Sequence, residues 1–282
     1  MWFASPDEVR GRLTAVDYLA DDGIATSVFL AGALGKPLLA EGPAGVGKTQ
    51  LAKAVAEATG ARLIRLQCYE GLDEARALYE WNYKKQLLRI QADDGAWDDI
   101  FSEEFLLERP LLKAIRSEEP TVLLIDETDK ADVEVEGLLL EILSDYQITI
   151  PELGTITATR RPYVVLTSNA TRELSEALKR RCLYLHLDYP TPERERDILL
   201  AQVPGLPASI ADQLARTVAT LRALELKKSP SIAETVDWAH TLLALGRTEL
   251  DEALIGQTLG VVLKHNSDQV RAAKELGLPS RS

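Results

Sequence analysis

The chain has 282 residues, 46% hydrophobic and 27% charged, enough apolar material for a sizeable core and too much for a disordered polymer. Its net charge of −12 disfavours duplex nucleic acid as the main partner, since phosphate backbones ordinarily meet basic surfaces, although a local basic channel stays open. Cys68 and Cys182 stand far apart without ligand-type neighbours, which predicts two reduced thiols rather than a zinc knuckle or a disulfide framework.

The opening MWFASPDEVRGRL lacks the apolar centre of a secretory signal, and no run approaches the roughly eighteen residues needed to span a bilayer. The expectation is a cytoplasmic protein without a transmembrane segment. The first strand-like run is Pro37 to Ala40, followed by EGPAGVGKTQ and then a helical stretch from Leu51 to Thr59.

Within that turn, Gly42, Pro43, Ala44, Gly45, Val46, Gly47, Lys48 and Thr49 fit the pattern Gly, four residues, Gly-Lys-Ser/Thr. Glycine lets successive backbone N–H groups converge on an anion, and the following helix adds its unpaired amides and positive dipole end. Lys48 suits the β- and γ-phosphates, and the Thr49 hydroxyl suits a magnesium ion bridging them. The competing reading is a chance match in a surface loop; the flanking strand and helix argue against it.

Four further apolar runs read as strands: Leu63 to Leu66, Thr121 to Ile125, Tyr163 to Thr167 and Leu183 to Leu187. Segments of helical period separate them, as with Val135, Leu138, Leu139, Ile142 and Leu143, and this alternation predicts a parallel sheet covered on both faces. Ile148 to Ile150 and Thr155 to Thr157 flank Pro151-Glu152-Leu153-Gly154, which predicts a hairpin over about 147–158, either an edge decoration or a contact element. Pro190 and Pro192 mark a boundary. Beyond it, residues 193–203, 209–225, 231–245 and 250–264 read as helices.

The third run ends in Asp126-Glu127, where an open α/β sheet places its site. Asp126 suits direct or outer-sphere support of magnesium, and Glu127 suits the general base that polarises an attacking water. An acidic pair balanced by Lys130 is the bland alternative. Asn169, closing the fourth run, would orient that water or touch the γ-phosphate, or simply make a turn. Lys179-Arg180-Arg181 stands before the fifth run and offers guanidinium charge for a phosphoryl-transfer transition state, or else a solvated basic turn.

The segments EGPAGVGKTQLAKA, VLLIDETDKAD, VVLTSNATREL and ALKRRCLYLHLDYP together resemble the MoxR family of AAA+ ATPases over nearly the whole chain. LIRLQCYEGLDEARALYEWNYKKQLLRIQ and SDYQITIPELGTI narrow the resemblance to the CoxD-like branch that accompanies carbon monoxide dehydrogenase and related molybdenum hydroxylases. The resemblance implies an α/β class AAA+ P-loop core over residues 1–190, a five-stranded parallel sheet with helices on both faces. It further implies an insertion at about 70–105, the hairpin, and a C-terminal α-helical lid over 191–282.

By motif position, Gly42 to Thr49 would be the Walker A loop, Asp126 and Glu127 the Walker B pair, and Asn169 sensor 1. Arg181, with Arg180 as the alternative, would be the arginine finger toward a neighbouring subunit's ATP. The resemblance also implies homo-oligomeric rings, usually hexamers, with ATP and Mg2+ between subunits, a von Willebrand A-domain partner and a client metalloenzyme matured by a remodelling chaperone. Tyr18, Leu19 and Asp22 to Ala25 stand where such proteins enclose adenine, though a plain connection fits them equally.

The chain departs from that pattern where many relatives carry a basic sensor 2 residue. Ser229-Pro230-Ser231-Ile232-Ala233-Glu234 has capping-box spacing there instead, which leaves Lys227 or Lys228 as substitutes. Tyr79, Trp81, Tyr83, Trp97 and Phe101, interleaved with Asp93-Asp94 and Asp98-Asp99, would either pack an extra layer or anchor a protein partner. The rival to a remodelling ATPase is a nucleotide-controlled binding switch whose hydrolysis is incidental. A nucleic-acid motor is disfavoured by the charge.

Overall fold

The computed structural model describes residues 2–92, 100–247 and 249–278. Trp97 and the two aspartate pairs named above lie outside the described residues. The chain divides into two compact units, one running to Gly42 and resuming over Lys48–His186, the other joining Pro43–Gly47 to the residues from Leu187 onward.

The first unit is built on five parallel strands. They are β1 (Leu38–Glu41), β2 (Arg62–Gln67), β5 (Thr121–Asp126), β8 (Tyr163–Ser168) and β9 (Leu183–His186), in the order β2-β5-β8-β1-β9. Two antiparallel ribbons accompany them, β3 (Tyr79–Trp81) with β4 (Leu106–Glu108), and β6 (Gln147–Ile150) with β7 (Gly154–Thr157). Strands β5 and β8 are buried at every position, TVLLID and YVVLTS, as a strand covered on both faces must be. Each of Leu123, Leu124 and Ile125 is fully buried and contributes roughly 1.5–3 kcal/mol relative to exposure. Strand β2 lies at the sheet edge and alternates, with Ile64 and Leu66 inward and Arg65 exposed.

Helices Asp22–Leu34, Lys48–Thr59, Pro110–Ile115 and Val133–Asp145 belong to the same unit. Asp21 starts the first of these, its carboxylate accepting from the Ile24 N–H at 2.8 Å, so the residues ahead of β1 form a capped helix. The insertion holds helices Glu74–Ala77 and Tyr83–Ala92 and also the β3–β4 ribbon, which periodicity does not reveal. Trp81 is buried, with its ring edge-on to Phe101 at 5.4 Å and to Tyr79 at 6.3 Å, whereas Tyr83 is largely exposed.

The helical unit holds Pro192–Gln202, Ala208–Arg222, Ile232–Ala244, Glu252–Thr258 and Asn266–Glu275, packed around Leu199, Leu214, Val218, Trp238 and Leu242. Trp238 is fully buried and its indole N–H donates to Thr258 Oγ1 at 2.7 Å. The stretch expected as one helix over 250–264 stops at Thr258 and continues as a 3-10 turn, Leu259–Val261. Gly256 and Gly260 weaken that stretch as a helix. The chain then starts the separate helix Asn266–Glu275.

Candidate active site at the strand ends

The register carries the polar ends of β1, β2, β5 and β8 to one edge of the sheet, where Gln67 pairs with Asp126, and Glu41 with Ser168. Strand β1 runs into Gly42, whose N–H donates to Ser168 O at 3.2 Å. The loop then turns at Gly45 and Gly47, with φ of 80° and 96°, left-handed backbone that a side chain would strain. Lys48 and Thr49 open the next helix.

Lys48 is buried and its ammonium donates to Gly42 O at 2.7 Å. Burial pushes it below the ordinary lysine range, while Asp129, Asp126, Glu127 and Glu41 pull the other way. Thr49 donates its hydroxyl to Asp126 Oδ1 at 2.9 Å. Thr167 donates to the same oxygen at 2.6 Å and accepts the Glu127 N–H at 2.9 Å, so one buried hydroxyl aligns both members of the acidic pair. The other oxygen of Asp126 is taken by Arg65.

Glu127 lies at φ 57° and ψ 48°, left-handed backbone uncommon for a residue with a side chain. Its Oε2 accepts from Gln67 Nε2 at 2.8 Å and from Lys130 Nζ at 2.7 Å. The expected Lys130 pairing is therefore present. Asn169 follows β8, half-buried, and is succeeded by Ala170, again left-handed at φ 56°. Nearby Asp129 is buried. Desolvation raises its carboxyl, but the Thr171 hydroxyl and the N–H groups of Asn169 and Thr171 outweigh this and hold it below the usual range.

The two arginines differ. Arg181 is half-buried and anchored within its own chain, Nε donating to Ser144 Oγ at 2.6 Å and Nη1 to Ala177 O at 3.1 Å. Arg180 is exposed, and its side chain makes no hydrogen bond or ion pair among the described residues.

In the helical unit, Ala44 O accepts from Tyr189 OH at 3.2 Å, and Gly45 O accepts from Ile232 N at 3.0 Å. A Cβ at Gly45 would lie 2.1 Å from Ser231 Cβ, so only glycine fits there. Ser231 and Glu234 complete a capping box, and Lys228 Nζ is committed to Glu234 Oε1 at 2.8 Å. Thr167, at the polar end of the fourth run, stands beside the carboxylates as that end predicts, whereas no motif marks Arg65, Gln67 or Asp129. The alternation of Arg65 and Gln67 along an edge strand is the one visible signal for those two.

A family sequence model, AAA domain (dynein-related subfamily), matches residues 37–182, more than half of the chain. The chain belongs to that family. This AAA protein is 26% identical over 219 residues to an uncharacterized protein of Staphylococcus haemolyticus, covering 75% of the chain and 77% of the relative. It is 31% identical over 163 residues to an uncharacterized protein of Staphylococcus aureus, covering 55% and 57%. It is 29% identical over 203 residues to midasin of Dictyostelium discoideum, covering 69% of the chain and only 3% of midasin.

Membership makes the AAA protein an ATP hydrolase that binds ATP, with magnesium as is usual for the domain. The side chains present suit that pair. Thr49 and Asp126 supply hard oxygen donors 2.9 Å apart, and Lys48 adds a buried ammonium from the first residue of the same helix as Thr49. AAA proteins commonly form rings, and no helix among the described residues is long and apolar enough to cross a membrane.

Proposed function

We propose that this AAA ATPase is a MoxR-type remodelling factor, a cytoplasmic homo-oligomeric ring that couples ATP hydrolysis to maturation of a client. The client suggested by the resemblance is a molybdenum-containing hydroxylase or similar metalloenzyme, with a von Willebrand A-domain partner. The observation that supports an active motor best is the meeting of Asp126 and Glu127 at the Thr167 hydroxyl, with Thr49 on the same Asp126 oxygen.

In this reading Lys48 and the loop amides of Gly42 to Gly47 hold the phosphates, with Thr49 and Asp126 as the magnesium-supporting pair. Bound magnesium would neutralise charge on the β- and γ-phosphate oxygens. Glu127 takes a proton from the attacking water once it leaves Gln67 and Lys130, and Asn169 orients that water. Of the two arginines, Arg180 suits a finger toward a neighbour better than Arg181, which its own chain already binds. Such guanidinium charge acts only in the transition state.

Replacing Glu127 by Gln should preserve ATP binding and lower turnover roughly 10²- to 10⁴-fold. Wild-type turnover in that variant would remove Glu127 as the base. Specific activity should also rise with protein concentration if a neighbour completes the site.

A second reading is a nucleotide-controlled binding switch with incidental hydrolysis. It is favoured by the self-satisfied capping box of Ser231 and Glu234, which also holds Lys228 and leaves Lys227 as the remaining basic substitute there. Partner capture that requires bound ATP and is unaffected by Glu127→Gln would select the switch.

A further inference from the structure

Asp126 is 2% exposed, and its carboxylate is held from two sides of different character. Oδ1 receives the neutral hydroxyls of Thr49 and Thr167, and Oδ2 receives Arg65, from Nε at 3.0 Å and from Nη2 at 2.5 Å. The arginine is the solvent-side partner, its side chain 48% exposed on edge strand β2, and its other contact among the described residues is the side chain of Gln67. Among the described residues, no buried group fastens the guanidinium apart from Asp126 itself.

A buried carboxylate with only hydroxyl partners is costly, so the nucleotide-free chain requires a cation there. A second cation at the same carboxylate would repel the first through a medium of low dielectric. Lys48 adds a third positive group to this corner, and the ammonium is fixed by the loop and by burial. Arg65 is the one of these that has an open path to water.

We propose that Arg65 is a built-in counter-cation for Asp126. Its guanidinium neutralises the buried carboxylate before nucleotide arrives and withdraws toward solvent as magnesium and ATP are taken up, so loading exchanges one cation for another. Arg65 is thus a positioning residue that sets the magnesium requirement of nucleotide binding. The inference rests on the reading of Asp126 as magnesium support.

The test is equilibrium binding of a fluorescent ATP analogue to the full chain, with magnesium titrated upward from EDTA, in the wild type and in Arg65→Gln, Arg65→Lys and Asp126→Asn. Removing the competitor should lower the magnesium concentration for half-maximal binding by roughly three- to tenfold in Arg65→Gln. Arg65→Lys keeps the charge with a single donor group and should shift the same way by less, which covers the case in which the glutamine variant does not fold. Thermal melting supplies the second readout. Arg65→Gln should melt below the wild type in EDTA, and the gap should close with magnesium and ATP.

An unchanged or raised magnesium requirement in both arginine variants, or a melting gap that persists with magnesium and ATP, would overturn the proposal and make Arg65 a support of the loaded site. If Asp126→Asn leaves the magnesium dependence untouched, the reading of Asp126 fails and the proposal falls with it. A raised requirement in Asp126→Asn beside no change in the arginine variants sinks the proposal alone.

Discussion

The strand ends of the α/β unit and the start of helix Ile232–Ala244 solve opposite problems with the same kinds of residue. At the strand ends Asp126 and Glu127 draw Arg65, Gln67 and Thr167 from neighbouring strands 40 to 61 positions away, besides Lys130 three residues on. At the helix start, Ser231 and Glu234 satisfy each other, and Lys228 neutralises the glutamate from six residues away. A charge met by distant, exchangeable groups is available for chemistry. One met by its own turn is structure.

That contrast is sharpened most by the two arginines ahead of β9. Arg180→Ala should reduce ATP turnover by about 10³-fold or more with nucleotide binding retained, the scale of a lost arginine finger. Arg181→Ala should lower thermal stability by about 1 kcal/mol through the lost Ser144 and Ala177 contacts, with turnover reduced much less. Mixing inactive Arg180→Ala subunits with inactive Glu127→Gln subunits is the decisive assay. Restored turnover in the mixture means the arginine acts across a subunit boundary; none at any ratio means that Arg180 acts within its own subunit and is no finger toward a neighbour.

Next in size is the loop. Gly45→Ala places a methyl group 2.1 Å from Ser231 Cβ and forces a side chain onto φ 80°. The expected loss is about 1–3 kcal/mol from overpacking and strain combined, read as a lower urea midpoint. Nucleotide should bind more weakly as well. A variant with wild-type stability and affinity would show that the close approach to Ser231 does not constrain the loop.

Much of this was readable from residue order alone. The buried strands β5 and β8 are unbroken apolar runs, the loop has fixed spacing, and the hairpin has its turn residues between two β-branched segments, so each is encoded within a few neighbours. Ser231 and Glu234 were legible for the same reason. The rest depends on pairing at a distance. Arg65 meets Asp126 only because β2 and β5 run parallel in the register that sets Gln67 beside Asp126. Arg181 is tied to Ser144, 37 positions away, and the β3–β4 ribbon joins segments on either side of the insertion. No local period carries such information.

The smallest effect concerns Cys68, which lies behind the acidic pair and links burial to charge. Its thiol is fully buried, its N–H donates to Asp126 O at 2.8 Å, and its pKa is pushed up to about 12, first by burial and then by Asp126, Asp129 and Glu127. Iodoacetamide should therefore modify it slowly in the folded chain at pH 8 and quickly in urea, since the thiolate is the nucleophile. The folded value exceeds the ordinary 9.0, so the native state keeps the proton longer than the unfolded one. Stability from this group is then complete below pH 9 and declines as pH rises through 9 toward 12, at up to about 1.4 kcal/mol per pH unit. Lys48 acts in the opposite direction, because its depressed ammonium makes the fold gain stability with rising pH up to the ordinary lysine value. Comparing urea midpoints of the wild type and Cys68→Ala at pH 7.5, 9 and 10.5 cancels the lysine. The difference between the two proteins should shrink with pH, and a difference constant across the series would mean that neither burial nor the carboxylates hold the thiol above its ordinary range.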